Sequence, residues 1–80
     1  MKVTIKCFSQ VKYALGKNSL VLELEEGSTT DQLEKIIRKK AMGKLDNVTF
    51  RVAINKKYST DHKTLKNGDE IAFIPPVQGG

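Results

Sequence analysis

The fold is decided by the stretch Glu70-Ile71-Ala72-Phe73-Ile74-Pro75-Pro76-Val77-Gln78-Gly79-Gly80, in which an apolar strand runs into a proline stop. Proline lacks a backbone N–H and has a fixed φ, so Pro75 and Pro76 should end sheet pairing and send the following residues out extended. Gly79 and Gly80 carry no side chains and can enter a channel too narrow for other residues. The α-carboxylate of Gly80 is then the one chemical handle, suited to activation by a partner enzyme. A frayed, glycine-ended terminus is the plain alternative.

Upstream of this stretch, three segments alternate apolar and polar residues, as half-buried strands do. The inward positions of the first two are Val3, Ile5 and Cys7, then Leu20, Leu22 and Leu24; in the third, Val48, Phe50, Val52 and Ile54 alternate with Thr49, Arg51 and Ala53. The first two segments flank a short helical turn or ordered loop (9–15) ended by Gly16, and they should pair antiparallel. A short edge strand begins at Tyr58. A tight turn that needs φ > 0 at Gly68 leads into the last strand, which we expect at the centre of the sheet because it is the most apolar.

One main helix is predicted between the second and third strands. Its start is Ser28-Thr29-Thr30-Asp31, where hydroxyls can cap free N–H groups and Asp31 lies near the positive end of the dipole. A buried stripe at helical spacing follows, then a cationic last turn before a stop at Gly43: Leu33, Ile36, Ile37 and Ala41, then Arg38, Lys39 and Lys40. The order β-β-α-β-β-β predicts an α+β protein, a ubiquitin-like β-grasp with a mixed sheet of about four to five strands and one main helix packed across one face. We expect residues 1–76 to form this domain and 77–80 a flexible tail.

Size and composition limit the function. Eighty residues make one domain. The single cysteine, Cys7, alternates inward as a core residue and excludes an internal disulfide, and no Cys/His cluster offers a metal site. His62, the only histidine, lies in a polar loop without partners for a catalytic triad. No apolar run reaches the ~20 residues of a membrane span, so we expect a cytoplasmic protein.

The charge of the chain favours a protein partner. The net charge is +5, from 14 Lys and Arg against 9 Asp and Glu, and the lysines are spread along the sequence. This moderate excess fits docking on acidic partners. Nothing in the sequence pairs a general acid with a general base, so we expect a protein that is not an enzyme by itself.

Beyond these patterns, the sequence resembles a known family. The stretch 65–80 is similar to the end of the small, sulfur-carrying subunit of molybdopterin synthase (MoaD-type), which reads Leu-x-x-Gly-Asp-Glu-(apolar)-Ala-(apolar)-(apolar)-Pro-Pro-Val-x-Gly-Gly. Phe8-Ser9-Gln10-Val11-Lys12 with Gly16, and Ile54-Asn55-Lys56, resemble its first strand and loop and one of its turns. One departure is Lys12, where many members carry Arg, so a bidentate guanidinium contact would be lost.

The resemblance implies a reaction cycle. A ubiquitin-activating-like adenylyltransferase would use ATP to adenylate the Gly80 carboxylate, and a sulfur donor protein would then displace AMP and leave a thiocarboxylate. The tail (Pro75, Pro76, Val77, Gln78 and Gly79) would thread into the active site of the large synthase subunit. There the sulfur would go to cyclic pyranopterin monophosphate, in molybdenum cofactor biosynthesis. The resemblance further implies no bound cofactor and a heterotetramer with the large subunit.

The sequence also suggests a docking surface. Phe8 and Ile74 fall on the off-core phase of their strands, and Tyr58 lies at a sheet edge. Since one helix covers only one face of the sheet, we expect these three side chains to form an apolar patch for the activating enzyme and the large subunit, with Lys12 at its rim. Scattered surface hydrophobic residues are the ordinary alternative.

Other functions remain open from sequence. A ubiquitin-like protein modifier would use the same Gly-Gly ending to form isopeptide bonds with lysines, and the thiamine-pathway sulfur carrier shares the fold and the Gly-Gly. A small nucleic-acid-binding module is suggested only by the net charge, without aromatic interleaving on a basic face.

Overall fold

The chain forms a small sheet with a helix across it. The structure, a computed structural model, describes residues 1–59 and 63–75. The described elements in chain order are β1 (Lys2–Cys7), α1 (Ser9–Leu15), β2 (Ser19–Glu23), α2 (Thr30–Lys40), β3 (Arg51–Ile54), β4 (Lys57–Tyr58) and β5 (Glu70–Ile74).

The strands form one mixed sheet in the order β2-β1-β5-β3-β4. Strand β1 pairs antiparallel with β2 and parallel with β5, and β3 pairs antiparallel with β5 and with β4. The most apolar strand is therefore central, as predicted, and the antiparallel pairing of the first two strands is also confirmed. This order, with α2 on one face, is the α+β ubiquitin-like β-grasp that the sequence predicts.

The core lies between α2 and the inward face of the sheet. Leu33 and Ile37 of α2 are fully buried, and so are Ile5, Ile71 and Phe73 of the two neighbouring central strands. Each such side chain contributes about 1.5–3 kcal/mol relative to an exposed one. The alternation in β1 and β5 thus supplies one face of the core and leaves the intervening residues on the opposite face of the sheet.

The helix start follows the predicted capping chemistry. Thr29 is the N-cap, its side chain accepts a hydrogen bond from the Gln32 N–H, and the Gln32 side chain accepts one from the Thr29 N–H, completing a capping box. The helix ends earlier than predicted, at Lys40 with Ala41 as C-cap. Gly43 has a φ of +90° and lies in the turn that follows.

The third strand begins later than its alternation predicts, because an arginine occupies backbone carbonyls upstream of it. Arg38 of α2 donates hydrogen bonds from Nη1 to the Leu45 carbonyl and from Nη2 to the Val48 carbonyl, the latter 2.6 Å long. Its Nε also pairs with Glu34 at 2.9 Å, and its guanidinium carbon lies 4.6 Å from the centroid of the Phe50 ring. The segment 45–50 is therefore fixed to the helix by Arg38, and sheet pairing starts at residue 51.

The turn before β5 is held by side-chain hydrogen bonds. Gly68 has a φ of +88°, which confirms the predicted left-handed turn. The Asp69 carboxylate accepts from the Lys66 N–H at 2.8 Å and from Asn55 Nδ2 at 3.0 Å. Asn55 Oδ1 in turn accepts from the Glu70 N–H at 3.0 Å. The β3–β4 turn and the start of β5 are thus tied together.

Among the residues that the structure describes, no helix has the length and apolar character needed to cross a membrane.

The contacts of Arg38 predict that its replacement lowers the stability of the protein even when the positive charge is kept. In Arg38→Lys the charge is kept, but the planar fork that reaches two carbonyls and a carboxylate is lost. We expect the free energy of unfolding to fall by about 1–3 kcal/mol, measured by urea titration. Lys39→Gln, on the same turn but exposed, should change it by less than about 0.5 kcal/mol. Equal losses of stability in the two variants would contradict a stabilising role for the Arg38 contacts.

Candidate docking face

The face of the sheet opposite α2 carries a row of side chains in register. Lys6 of β1 pairs with Ala72 of β5, Ala72 pairs with Ala53 of β3, and Ala53 pairs with Tyr58 of β4. Residues opposite one another in a sheet point to the same face. Two small alanines therefore lie at the middle of this row with larger side chains at its ends, which leaves a hollow across the sheet.

This hollow is the floor of a concave groove of about 730 Å³. It is lined by Lys6, Cys7, Phe8, Ser9, Lys12, Asn18, Ala53, Lys56, Tyr58, Glu70, Ala72 and Ile74. The four residues proposed from the sequence as the docking surface (Phe8, Lys12, Tyr58 and Ile74) are thus brought together around one groove. Their docking role stays a prediction.

The apolar rim of the groove is exposed to solvent. Phe8 is 49% exposed and Tyr58 60% exposed, and Ile74 is partly buried. Phe8 follows β1 directly and is the N-cap of α1; its extended backbone (φ −125°, ψ 149°) continues the strand, so its side chain falls on the face opposite the buried Cys7. Large exposed aromatic side chains around a concave floor are typical of protein-binding surfaces.

Three lysines give the groove a positive rim. Lys6 comes from β1 and Lys12 from α1, whereas Lys56 is placed by the two-residue turn between β3 and β4, in which Asn55 and Lys56 have φ values of 51° and 72°. Of the described residues that line the groove, Glu70 is the one carboxylate. Such a rim favours a partner surface with negative charge.

The sequence predicted four of the twelve residues that line this groove. Lys6 and Ala72 could have been found from strand phase, since they alternate with the buried positions of β1 and β5. Ala53 follows the same phase in β3, between Val52 and Ile54. Lys56 had no comparable signal, because it lies in the turn between β3 and β4.

The chain leaves the sheet beside this groove. Ile74, the last residue of β5, lines the groove and pairs with Arg51 in the sheet register. Pro75 follows and is outside the strand, as its missing N–H predicts. The predicted threading residues Pro76, Val77, Gln78 and Gly79, the reactive Gly80, the domain boundary at 76/77 and the loop residue His62 lie outside the described residues.

Cys7 belongs to the core, as predicted. It is 4% exposed, and its Sγ lies 3.9 Å from the Ile5 carbonyl oxygen. Burial raises the pKa of this thiol above its ordinary value of 9.0, because the thiolate would lose its hydration. Within residues 1–59 and 63–75, no group of three or more His, Cys, Asp and Glu side chains could hold a metal ion.

The fold and the groove define the class of the protein, a ubiquitin-like β-grasp domain whose free sheet face is concave, partly apolar and positively rimmed. The sequence comparison then gives the family. The ThiS family model matches residues 5–80, and the chain belongs to the ThiS family.

Two curated relatives match over the full length of this chain. The molybdopterin synthase sulfur carrier subunit of Chlamydomonas reinhardtii is 38% identical and covered completely. The subunit of the same name from Arabidopsis thaliana is 31% identical, with 84% of its length covered.

Solved structures agree on the fold. Small archaeal modifier protein 1 (SAMP1) of Haloferax volcanii has a TM-score of 0.84 at 18% identity, with 100% of both chains covered. A chain from the complex of subunits 1 and 2 of the molybdopterin-converting factor of Helicobacter pylori has a TM-score of 0.70 at 23% identity, again with 100% of both chains covered. At these identities the likeness concerns the β-grasp fold.

The buried thiol predicts a pH dependence. The folded state holds the Cys7 proton more tightly than the unfolded chain, so this contribution to stability is intact below pH 9.0 and is lost as the pH rises above it. We expect wild type to be more stable than Cys7→Ala at pH 7, with a difference that shrinks above pH 9.0. Denaturant titrations of both proteins between pH 7 and 10.5 or so test this. Parallel pH profiles would contradict it.

Proposed function

We propose that this protein is the sulfur-carrier subunit of a molybdopterin synthase. The observation that carries the proposal is the groove. Strand β5 ends at its rim with Ile74, so a partner seated on Phe8, Tyr58 and the lysines would receive the residues that follow. The full-length match to relatives named as molybdopterin synthase sulfur carrier subunits supports this reading.

The chemistry proposed for the chain needs only its C-terminal carboxylate. A carboxylate is a poor acyl electrophile, so an oxygen of Gly80 would first attack the α-phosphate of ATP and release pyrophosphate. The resulting acyl adenylate has AMP as its leaving group. Hydrosulfide (HS⁻) released by a donor protein displaces AMP, so the acyl–O bond to the phosphate breaks as the acyl–S bond forms. The product is a thiocarboxylate, whose sulfur is a good nucleophile for the next acceptor.

Partner proteins supply the catalytic groups in this proposal. Cys7, the only thiol of the chain, is buried in the core and cannot accept sulfur from a donor without opening of the fold. The activating enzyme binds ATP, and the large synthase subunit holds cyclic pyranopterin monophosphate. A cycle that depends on ATP fits the cytoplasm, where we place it.

The same groove would serve both partners in turn. Phe8, Tyr58 and Ile74 form the apolar contact, and Lys6, Lys12 and Lys56 face partner carboxylates. Because the two partners would use one surface, the carrier would leave the activating enzyme before it enters the synthase. Electrostatic attraction at the lysine rim would speed each encounter.

Intact mass spectrometry tests the carrier chemistry. After incubation with ATP, a sulfur source and the activating enzyme, we expect a gain of about 16 Da, the difference between sulfur and oxygen, mapped to Gly80. A variant lacking Gly80 should fold as wild type does, since the described core lies within residues 3–73, and should gain no mass. An unchanged wild-type mass, with an activating enzyme shown to work on another substrate, would overturn the proposal.

The groove predicts the effect of a charge at its rim. Phe8→Asp removes an aromatic contact and places a carboxylate against a partner of like charge, so the Kd for the activating enzyme should rise at least about tenfold. Val21→Asp is the matched control, since Val21 is 62% exposed on the same sheet face but outside the groove. Circular dichroism should show both variants folded. Normal activation of Phe8→Asp would contradict the docking assignment.

A further inference from the structure

Arg51 contacts an aromatic side chain at the rim of the groove but does not line the groove itself. The guanidinium carbon of Arg51 lies 4.3 Å from the centroid of the Tyr58 ring. Arg51 is the first residue of β3, and Tyr58 is the last residue of β4, the two-residue edge strand. Both side chains are exposed, so the stack lies on the surface of the sheet.

The two residues differ in what they line. Tyr58 lines the groove, whereas Arg51 lines a separate depression, together with two carboxylates of α2 (Asp31 and Glu34) and with Thr30, Phe50, Val52 and Ser59. Arg51 is still a neighbour of the groove, since it pairs with Ile74 in the sheet register, and its guanidinium contacts the aromatic rim from the side. Tyr58 lies on an edge strand, because β4 pairs on one side only, with β3, and it is 60% exposed.

A tyrosine ring that is already fixed in its bound orientation gives a higher affinity than a ring that rotates freely. An exposed tyrosine that becomes fixed on binding loses rotamer entropy, which reduces affinity. A guanidinium over an aromatic face is an attractive contact even at an exposed site, so the ring is partly fixed before the partner arrives. Planar Arg suits this stacking better than Lys does.

We propose that Arg51 is a positioning residue that holds the Tyr58 ring at the rim of the groove in the orientation in which the activating enzyme binds it. The inference rests on the proposed function for the identity of that partner. The competing role for Arg51, a direct ion pair with a carboxylate of the enzyme, makes different predictions about coupling and salt.

The stack itself is tested in the free protein by NMR. Protons on the Arg51 side chain that lie over the Tyr58 ring should resonate upfield of their random-coil positions. In Tyr58→Leu this ring-current shift should disappear, with the rest of the spectrum preserved. Random-coil shifts for Arg51 in wild type would overturn the inference without reference to any partner.

A double-mutant cycle tests the role in docking. Arg51→Gln should weaken binding to the activating enzyme about two- to fivefold, the effect of one exposed cation–π contact. In the Tyr58→Ala background the same substitution should have no further effect, because nothing remains to be positioned. The slope of log Kd against log salt should stay the same in Arg51→Gln. Lys39→Gln, an equal loss of charge at the exposed end of α2, should leave Kd unchanged.

The outcomes separate this inference from the proposed function. Additive losses in the cycle, or a shallower salt slope in Arg51→Gln, would assign Arg51 to a direct ion pair and overturn the positioning role while docking stands. If Phe8→Asp and Tyr58→Ala both bind as wild type does, the docking face itself is wrong and this inference falls with it.

Discussion

The structure depends on the seating of β5 between β1 and β3. This strand buries Ile71 and Phe73 on one face, and without it neither neighbouring strand would have a partner on that side. Because successive residues of a strand point to opposite faces, the same strand places Ala72 and Ile74 on the other face. A single long helix can cover only one side of such a sheet. The concave face that carries the groove is therefore a direct consequence of how the core is built.

Much of this fold could be predicted from the sequence because its signals are local and periodic. The strand phases of Val3, Ile5 and Cys7, the capping residues of α2 and the left-handed turn at Gly68 all depend on neighbours within a few residues. The predicted start of β3 was wrong because the true start depends on Arg38, whose side chain donates hydrogen bonds to carbonyls seven and ten residues away. No periodicity records such a contact, and a cation in the last turn of a helix already has an ordinary explanation.

The site was predictable only where it breaks a rule. Phe8 and Ile74 were predictable because they are large apolar residues on the off-core phase of their strands. Ala53 and Ala72 form the floor because they are small; strand phase places them on the open face, but their small size does not by itself mark a groove. Lys56 reaches the groove through a turn with positive φ at a lysine, a conformation that few sequence rules anticipate.

The parallel pairing of β1 with β5 also joins distant parts of the chain. The β1–β2 hairpin is local, but Thr4 meets Glu70 only when a loop spanning most of the chain closes, so this pairing is an entropically costly event. Phe8, Ala72 and Ala53 belong to three strands or their ends, and the groove they share does not exist until that event is complete. A protein that bound the groove would therefore bind only chains in which all three strands are in place.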